Sequence, residues 1–150
     1  MKLVLGIDPG ATGAIVCINE YRTMVMRRFI NHDYPTIAQA VQDWSINSVA
    51  YIEKVGAMQR DSNHNAFAFG KGTGILHGML IANRIPIKEV APQVWQRHFK
   101  LGAAYPSKKE RKHAHLAKAK ELFPEVKKMT LDMCDAILIA QYAWDMEFGV

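Results

Sequence analysis

Four carboxylates in this 150-residue chain stand where side chains of their type need a physical reason. Asp8 ends the apolar run Leu3-Val4-Leu5-Gly6-Ile7 and precedes Pro9-Gly10. Glu53 ends a second run, Val49-Ala50-Tyr51-Ile52. Asp132 and Asp135 sit three apart at the head of an apolar helix. A carboxylate at the end of a buried strand has to be hydrogen-bonded, paired or bound to a cation. Gathered in one place, four of them repel unless cations neutralise them. Oxygen-only donors suit Mg²⁺ or Mn²⁺. Two such ions about 3.5–4 Å apart activate a water and stabilise the leaving 3′ oxygen of a phosphodiester. The pattern therefore points to metal-dependent nuclease chemistry. Singly, each acid has a plainer use: Asp8 as a turn former, Glu53 as a surface residue, Asp132 or Asp135 as a partner of the helix dipole. The combination in this order favours the chemical reading.

The elements that must position these groups follow from periodicity. Lys2–Ile7 reads as a buried strand, residues 8–13 as a Gly/Pro turn, and Ala14–Asn19 as the second arm of a hairpin. Met24–Phe29 alternates weakly as a third strand. Thr36 is the expected N-cap of a helix over Ile37–Trp44. Val49–Glu53 follows as a central strand in a β-α-β arrangement, parallel to its neighbour. Gly56–Asn65 reads as a loop at the site. Ala66–Asn83 reads as a long helix with glycines at 70, 72, 74 and 78, which implies close packing on the sheet or room for a bulky ligand. Ile85–Val90, with Pro86, is an edge strand, and Pro92–Phe99 a short helix. Ser107 with Glu110 forms a capping box for a helix to Leu122. Thr130 caps the last helix, Leu131–Phe148. There Asp132 and Asp135 share a face, and Leu131, Ala136, Ile139, Ala140 and Ala143 pack on the sheet.

The length fits one domain, 1–150, with no linker or repeat. No segment has the length and hydropathy of a membrane span, and MKLVLGIDPG does not read as a signal peptide. Cys17 and Cys134 are expected as reduced core thiols of a cytoplasmic protein. The charge is +5 overall but uneven. Residues 97–128 carry ten Lys/Arg against three acids, net +7, which leaves −2 for the rest. A basic block beside an acidic site suggests a polyanionic partner, although a solvated lysine-rich helix face explains the block alone equally well.

Three segments together resemble a known family. They are Leu5-Gly6-Ile7-Asp8-Pro9-Gly10, Tyr51-Ile52-Glu53-Lys54-Val55, and Asp132-Met133-Cys134-Asp135-Ala136-Ile137-Leu138-Ile139-Ala140. In this order the chain resembles the RuvC-type Holliday junction resolvases of the ribonuclease H-like and integrase superfamily, in particular the short bacteriophage forms. Asn65–Asn83 and Ala91-Pro92-Gln93-Val94-Trp95 extend the likeness to nearly the whole chain. The resemblance implies an α/β fold, a mixed five-stranded sheet flanked by helices. It implies a homodimer that makes paired nicks in four-way DNA junctions and leaves 5′-phosphate and 3′-hydroxyl ends. It also implies an active site of Asp8, Glu53, Asp132 and Asp135 with two Mg²⁺, and a bacterial or phage-infected cytoplasm. A lysine of the basic helix supports the site in the family, and Lys108, Lys109 and Lys112 are candidates. Lys54, Lys71, Lys108, Lys109, Arg111 and Lys112 are the DNA-binding candidates, gripping phosphates without reading sequence. His113 and His115 are within reach of a role at the scissile phosphate, but a surface position is the expectation for both.

One departure stands out. Bacterial members of the family place an aromatic wedge three residues after the second acid, and this chain has Gly56 there. Phe67 and Phe69 are the nearest substitutes, though core packing is the expectation for both. The rival enzyme reading is a sugar-kinase or actin-like ATPase, with Gly10-Ala11-Thr12-Gly13 cradling phosphate. That fold needs two lobes and a longer chain, so no nucleotide cofactor is expected. A flap or fork nuclease of the same fold and a non-catalytic junction-binding protein complete the alternatives.

Overall fold

The computed structural model describes residues 1–54, 56, 62–102 and 104–149. Five strands form one sheet in the order β3-β2-β1-β4-β5. These are β1 Leu3–Asp8, β2 Ala14–Asn19, β3 Met24–Arg28, β4 Ser48–Glu53 and β5 Ile87–Val90. β1 pairs antiparallel with β2 and parallel with β4, β2 pairs antiparallel with β3, and β4 pairs parallel with β5. The sheet is therefore mixed, as expected. Pro86, which has no N–H to donate, directly precedes the edge strand β5.

Alternation along the strands divides the molecule into two layers. Leu5 and Ile7 of β1 and Ala50 and Ile52 of β4 face α1 (Tyr34–Asp43) and α2 (Asn63–Ala82), with Ile37, Val41, Leu76 and Leu80. Val4 of β1, Val16 of β2 and Val49 and Tyr51 of β4 belong to the core on the other face. That core holds α3 (Pro92–His98), α4 (Lys108–Leu122) and α5 (Leu131–Phe148). α5 is the central helix of this layer, with every residue from Met133 to Gln141 buried. A Cβ on Gly6 would lie 2.2 Å from the Ala140 backbone N, so only glycine lets α5 lie this close to β1.

Several expectations change. The N-cap of α1 is Asp33, not Thr36: Asp33 Oδ1 accepts the Thr36 N–H at 2.9 Å, and Pro35 sits in the first turn. α2 starts earlier than expected, because Ser62 caps it by accepting from the Asn65 N–H at 3.2 Å. The expected loop Gly56–Asn65 thus shortens, and its residues 57–61 lie outside those described. The glycines of α2 do not mediate close packing: a Cβ at Gly70, Gly74 or Gly78 would meet nothing within 4 Å. Ser107 caps α4 as expected, accepting from the Glu110 N–H at 3.1 Å. Cys17 and Cys134 are buried and free, and burial pushes both thiols up to about 12. Among the described residues, no helix is long and apolar enough to cross a membrane.

Candidate active site

Strand register assembles one row of side chains across the carboxyl end of β1. Asp8 pairs with Ala14, and Ala14 with Arg28. On the other side Ile7 pairs with Ile52, so Glu53 follows in step with Asp8. Neighbouring strands run about 4.8 Å apart. Asp8 shares the parity of Val4 and Gly6, Glu53 that of Val49 and Tyr51, and Arg28 that of Met24 and Met26. All three therefore point to the α5 side. There α5 crosses at Gly6, and its first two turns carry Asp132 and Asp135 over the row.

The four acids are not equivalent. Asp8, Glu53 and Asp135 lie close enough to alter one another's ionisation. Burial, then the charge of Asp8, raises Glu53 to about 7, against the hydrogen bond from Trp95. Burial also raises Asp8, with Asp135 and Asp132 adding to it and the Gly10 N–H, at 3.1 Å from Oδ1, opposing. Asp135 is buried as well, but His115 and Lys112 outweigh the burial and hold its carboxyl below the ordinary range. Asp132 lies at the rim, with a side chain 46% exposed and an ion pair to Arg28 at 3.6 Å.

The surrounding donors account for the stability of this cluster. The Lys112 ammonium donates to Asp135 Oδ2, and His115 Nδ1 donates to Oδ1 at 2.8 Å. Trp95 Nε1 donates to Glu53 Oε1 at 3.0 Å, and its ring meets the His115 imidazole edge-on at 5.2 Å. His115, expected on the surface, is 1% exposed, because it lies on the side of α4 that faces α5. The neutralising cations expected from the acids are thus partly the protein's own. Among the described residues, no three His, Cys, Asp or Glu side chains already stand close enough to hold a metal ion. Arg28 and Trp95 were not singled out by sequence, and His115 was named there with a surface role as the expectation. Trp95 lay inside a segment noted only for its resemblance, and Arg28 carried no signal beyond its charge.

The basic candidates separate clearly. Only Lys112, partly buried, reaches the acids; Lys108, Lys109 and Arg111 are exposed along the start of α4. Lys54 is exposed one residue beyond Glu53, and Lys71 is exposed on α2. Phe67, expected in the core, is 73% exposed, because its side of α2 has no neighbour among the described residues. Phe69 lines a cavity beside the Pro9-Gly10 turn.

No family model and no curated protein matches this sequence. The solved structures do match. Thermus thermophilus RuvC in complex with Holliday junction substrate superposes with a TM-score of 0.67 at 13% identity, over 98% of this chain and 96% of that one. The chain has the RuvC fold. A second Thermus thermophilus RuvC structure superposes at 0.56 and 15% identity, with the same coverage. At this identity the likeness concerns architecture: the mixed five-stranded ribonuclease H-like sheet with its flanking helices.

Proposed function

We propose that residues 1–150 form a single nuclease domain that acts as a homodimeric Holliday junction resolvase, a crossover junction endodeoxyribonuclease. It makes paired nicks in four-way DNA junctions and leaves 5′-phosphate and 3′-hydroxyl ends. The observation that carries the reading is the convergence of Asp8, Glu53 and Asp135 on one face of the sheet at the ends of two parallel strands. A RuvC structure of the same fold holds a Holliday junction substrate, and the soluble cytoplasm of a bacterial or phage-infected cell is the setting such a substrate implies.

The donor set fits a hard divalent cation. Asp8 and Glu53 are held above their ordinary ranges by burial and by neighbouring negative charge, and a cation would relieve both. Asp8, Glu53 and Asp135, with Asp132 at the rim, would hold two Mg²⁺, and Mn²⁺ would substitute. Bound there, the ions would supply Lewis-acid stabilisation of the phosphate and a nucleophilic water. The protein's share is positioning. Trp95 fixes the Glu53 carboxylate, His115 fixes Asp135, and Lys112 brings a positive charge to the place where a phosphate must enter. Lys54, Lys71, Lys108, Lys109 and Arg111 contact the backbone of the arms. No nucleotide cofactor is involved.

A nuclease of broader selectivity for flaps and forks is the second reading. Gly56 favours it, since it offers no side chain where bacterial members of the family carry their wedge. The test is to incubate labelled four-way junction, 5′ flap and linear duplex with the protein in Mg²⁺ and in EDTA. Metal-dependent paired nicks confined to the junction and resealable by ligase establish the resolvase, and sedimentation of the complex checks the dimer. Equal cutting of flaps establishes the broader nuclease. Junction binding without cutting in Mg²⁺ or Mn²⁺ overturns both.

A further inference from the structure

On the opposite side of the β1 terminus from the carboxylates lies a cavity of about 660 Å³. Its size falls within the range of about 300–1,000 Å³ typical of small-molecule sites. The rings of Phe29, Tyr34 and Phe69 border it, with Ile37 and Leu76 from α1 and α2. The cavity shares a wall with the acidic row. At two places consecutive residues divide between them: Asp8 belongs to the row and Pro9 lines the cavity, Arg28 pairs with Asp132 and Phe29 lines the cavity. The Gly10 N–H, bonded to Asp8 at 3.1 Å, joins the two.

We propose that this cavity receives an unpaired nucleobase of the DNA strand whose phosphate lies at the carboxylates. The inference rests on the nuclease reading and adds a base-binding subsite to it. A strand crossing the carboxyl ends of β1 and β3 passes directly from the acids to the cavity mouth. Its occupant must be flat, largely apolar and able to make a few hydrogen bonds, and an unstacked base has those properties. Aromatic rings offer stacking that tolerates any base. The polar groups fit as well. His32 Nδ1 faces the Arg28 carbonyl oxygen at 2.9 Å; a carbonyl only accepts, so Nδ1 donates there and Nε2 remains for an occupant of the cavity. The Asn65 side chain offers both a donor and an acceptor, and it makes no hydrogen bond among the described residues. Gly72 keeps the space open: a Cβ there would meet only the Tyr34 hydroxyl, at 3.8 Å. The site would favour junctions, where base pairs at the exchange point are already weakened, without an aromatic wedge at position 56.

Gly72→Leu fills the cavity without a backbone clash. Wild type and variant are compared in Mg²⁺ on an intact junction and on junctions carrying one abasic nucleotide, scanned through the positions flanking the cut. The variant is expected to cut the intact junction about tenfold or more slowly, in line with the loss of one stacked base. An abasic site at one position should restore it to within about threefold of wild type, a rescue that a misfolded protein would not show. Wild-type cutting of the intact junction by the variant overturns the subsite and leaves the nuclease standing. So does a slow variant that no abasic position rescues. If the wild type cuts no DNA at all, the nuclease reading itself fails and takes the subsite with it.

Discussion

Trp95, at the centre of α3, donates its indole N–H to Glu53 Oε1 at 3.0 Å. The tryptophan is fully buried, so this bond ties the end of β4 to the helix after β5. It also works against the burial and the Asp8 charge that lift Glu53 to about 7. Trp95→Phe keeps an aromatic ring in the core but removes the donor. The carboxyl is then easier to protonate, so its titration midpoint in the metal-free protein should move above about 7. Carboxyl-carbon NMR in EDTA reads that midpoint directly. An unmoved midpoint would mean that the bond has no hold on Glu53. Well above pH 7, where the carboxyl is ionised, stability should fall by about 1.5–3 kcal/mol, the usual range for a hydrogen bond to a charged group.

Asp8→Asn is expected to separate function from stability. The substitution removes a metal ligand and one of the charges that raise Glu53, with almost no change in volume. Cutting should be lost while junction binding stays within a few-fold of wild type. The variant should also melt a few degrees higher in EDTA, because repulsion within the acidic row is relieved. Gel shift, cleavage and thermal unfolding on the same preparation check all three. Retained cutting would remove Asp8 from the machinery.

Gly6→Ala tests whether the approach of α5 sets the site. The added methyl would lie 2.2 Å from Ala140 N and 2.4 Å from its Cα, both backbone atoms that cannot rotate away. A loss of about 3 kcal/mol or more is expected, from overpacking between two rigid elements. Urea unfolding measures it. Where the variant still folds, α5 must stand further from β1 and carry Asp135 away from Asp8, so cutting should fall even well below the melting temperature.

Much of this arrangement was legible in sequence, for a physical reason. Asp8 and Glu53 each end an apolar run, and a strand end is a place that local pattern can specify. Asp135 was legible because a charge in an otherwise apolar helix conflicts with burial. Their partners were not. Trp95 is 42 residues from Glu53 and His115 is 20 from Asp135, and only the packing of α3 and α4 on α5 joins them. α4 is so polar that His115 read as a surface residue, yet the narrow side it shares with Ala119 is the buried one. The reverse holds for α2. Its apolar composition suggested that Phe67 packs inward, but among the described residues nothing covers that side of the helix, and the ring is 73% exposed.

Glu147, far from the acidic row, gives a pH dependence with a defined sign. Near the end of α5 it receives Lys88 at 2.5 Å, Lys2 at 2.9 Å and the Tyr51 hydroxyl at 2.9 Å, joining the helix to β4, β5 and the residue just before β1. The Lys88 bond, with those from Lys2 and Tyr51, holds its carboxyl down at about 2, from an ordinary value of 4.5. A depressed acid stabilises the fold fully above its unfolded value and loses that contribution as pH falls towards the folded one. Wild type should therefore exceed Glu147→Gln by about 1 kcal/mol at pH 7, the upper part of the range for a pair reached by solvent. The gap should hold down to about pH 5, then close between 4.5 and 2 as the wild-type carboxyl takes up its proton. Urea titrations of both proteins across that window would show the convergence. A constant difference would mean that Glu147 acts through shape rather than charge.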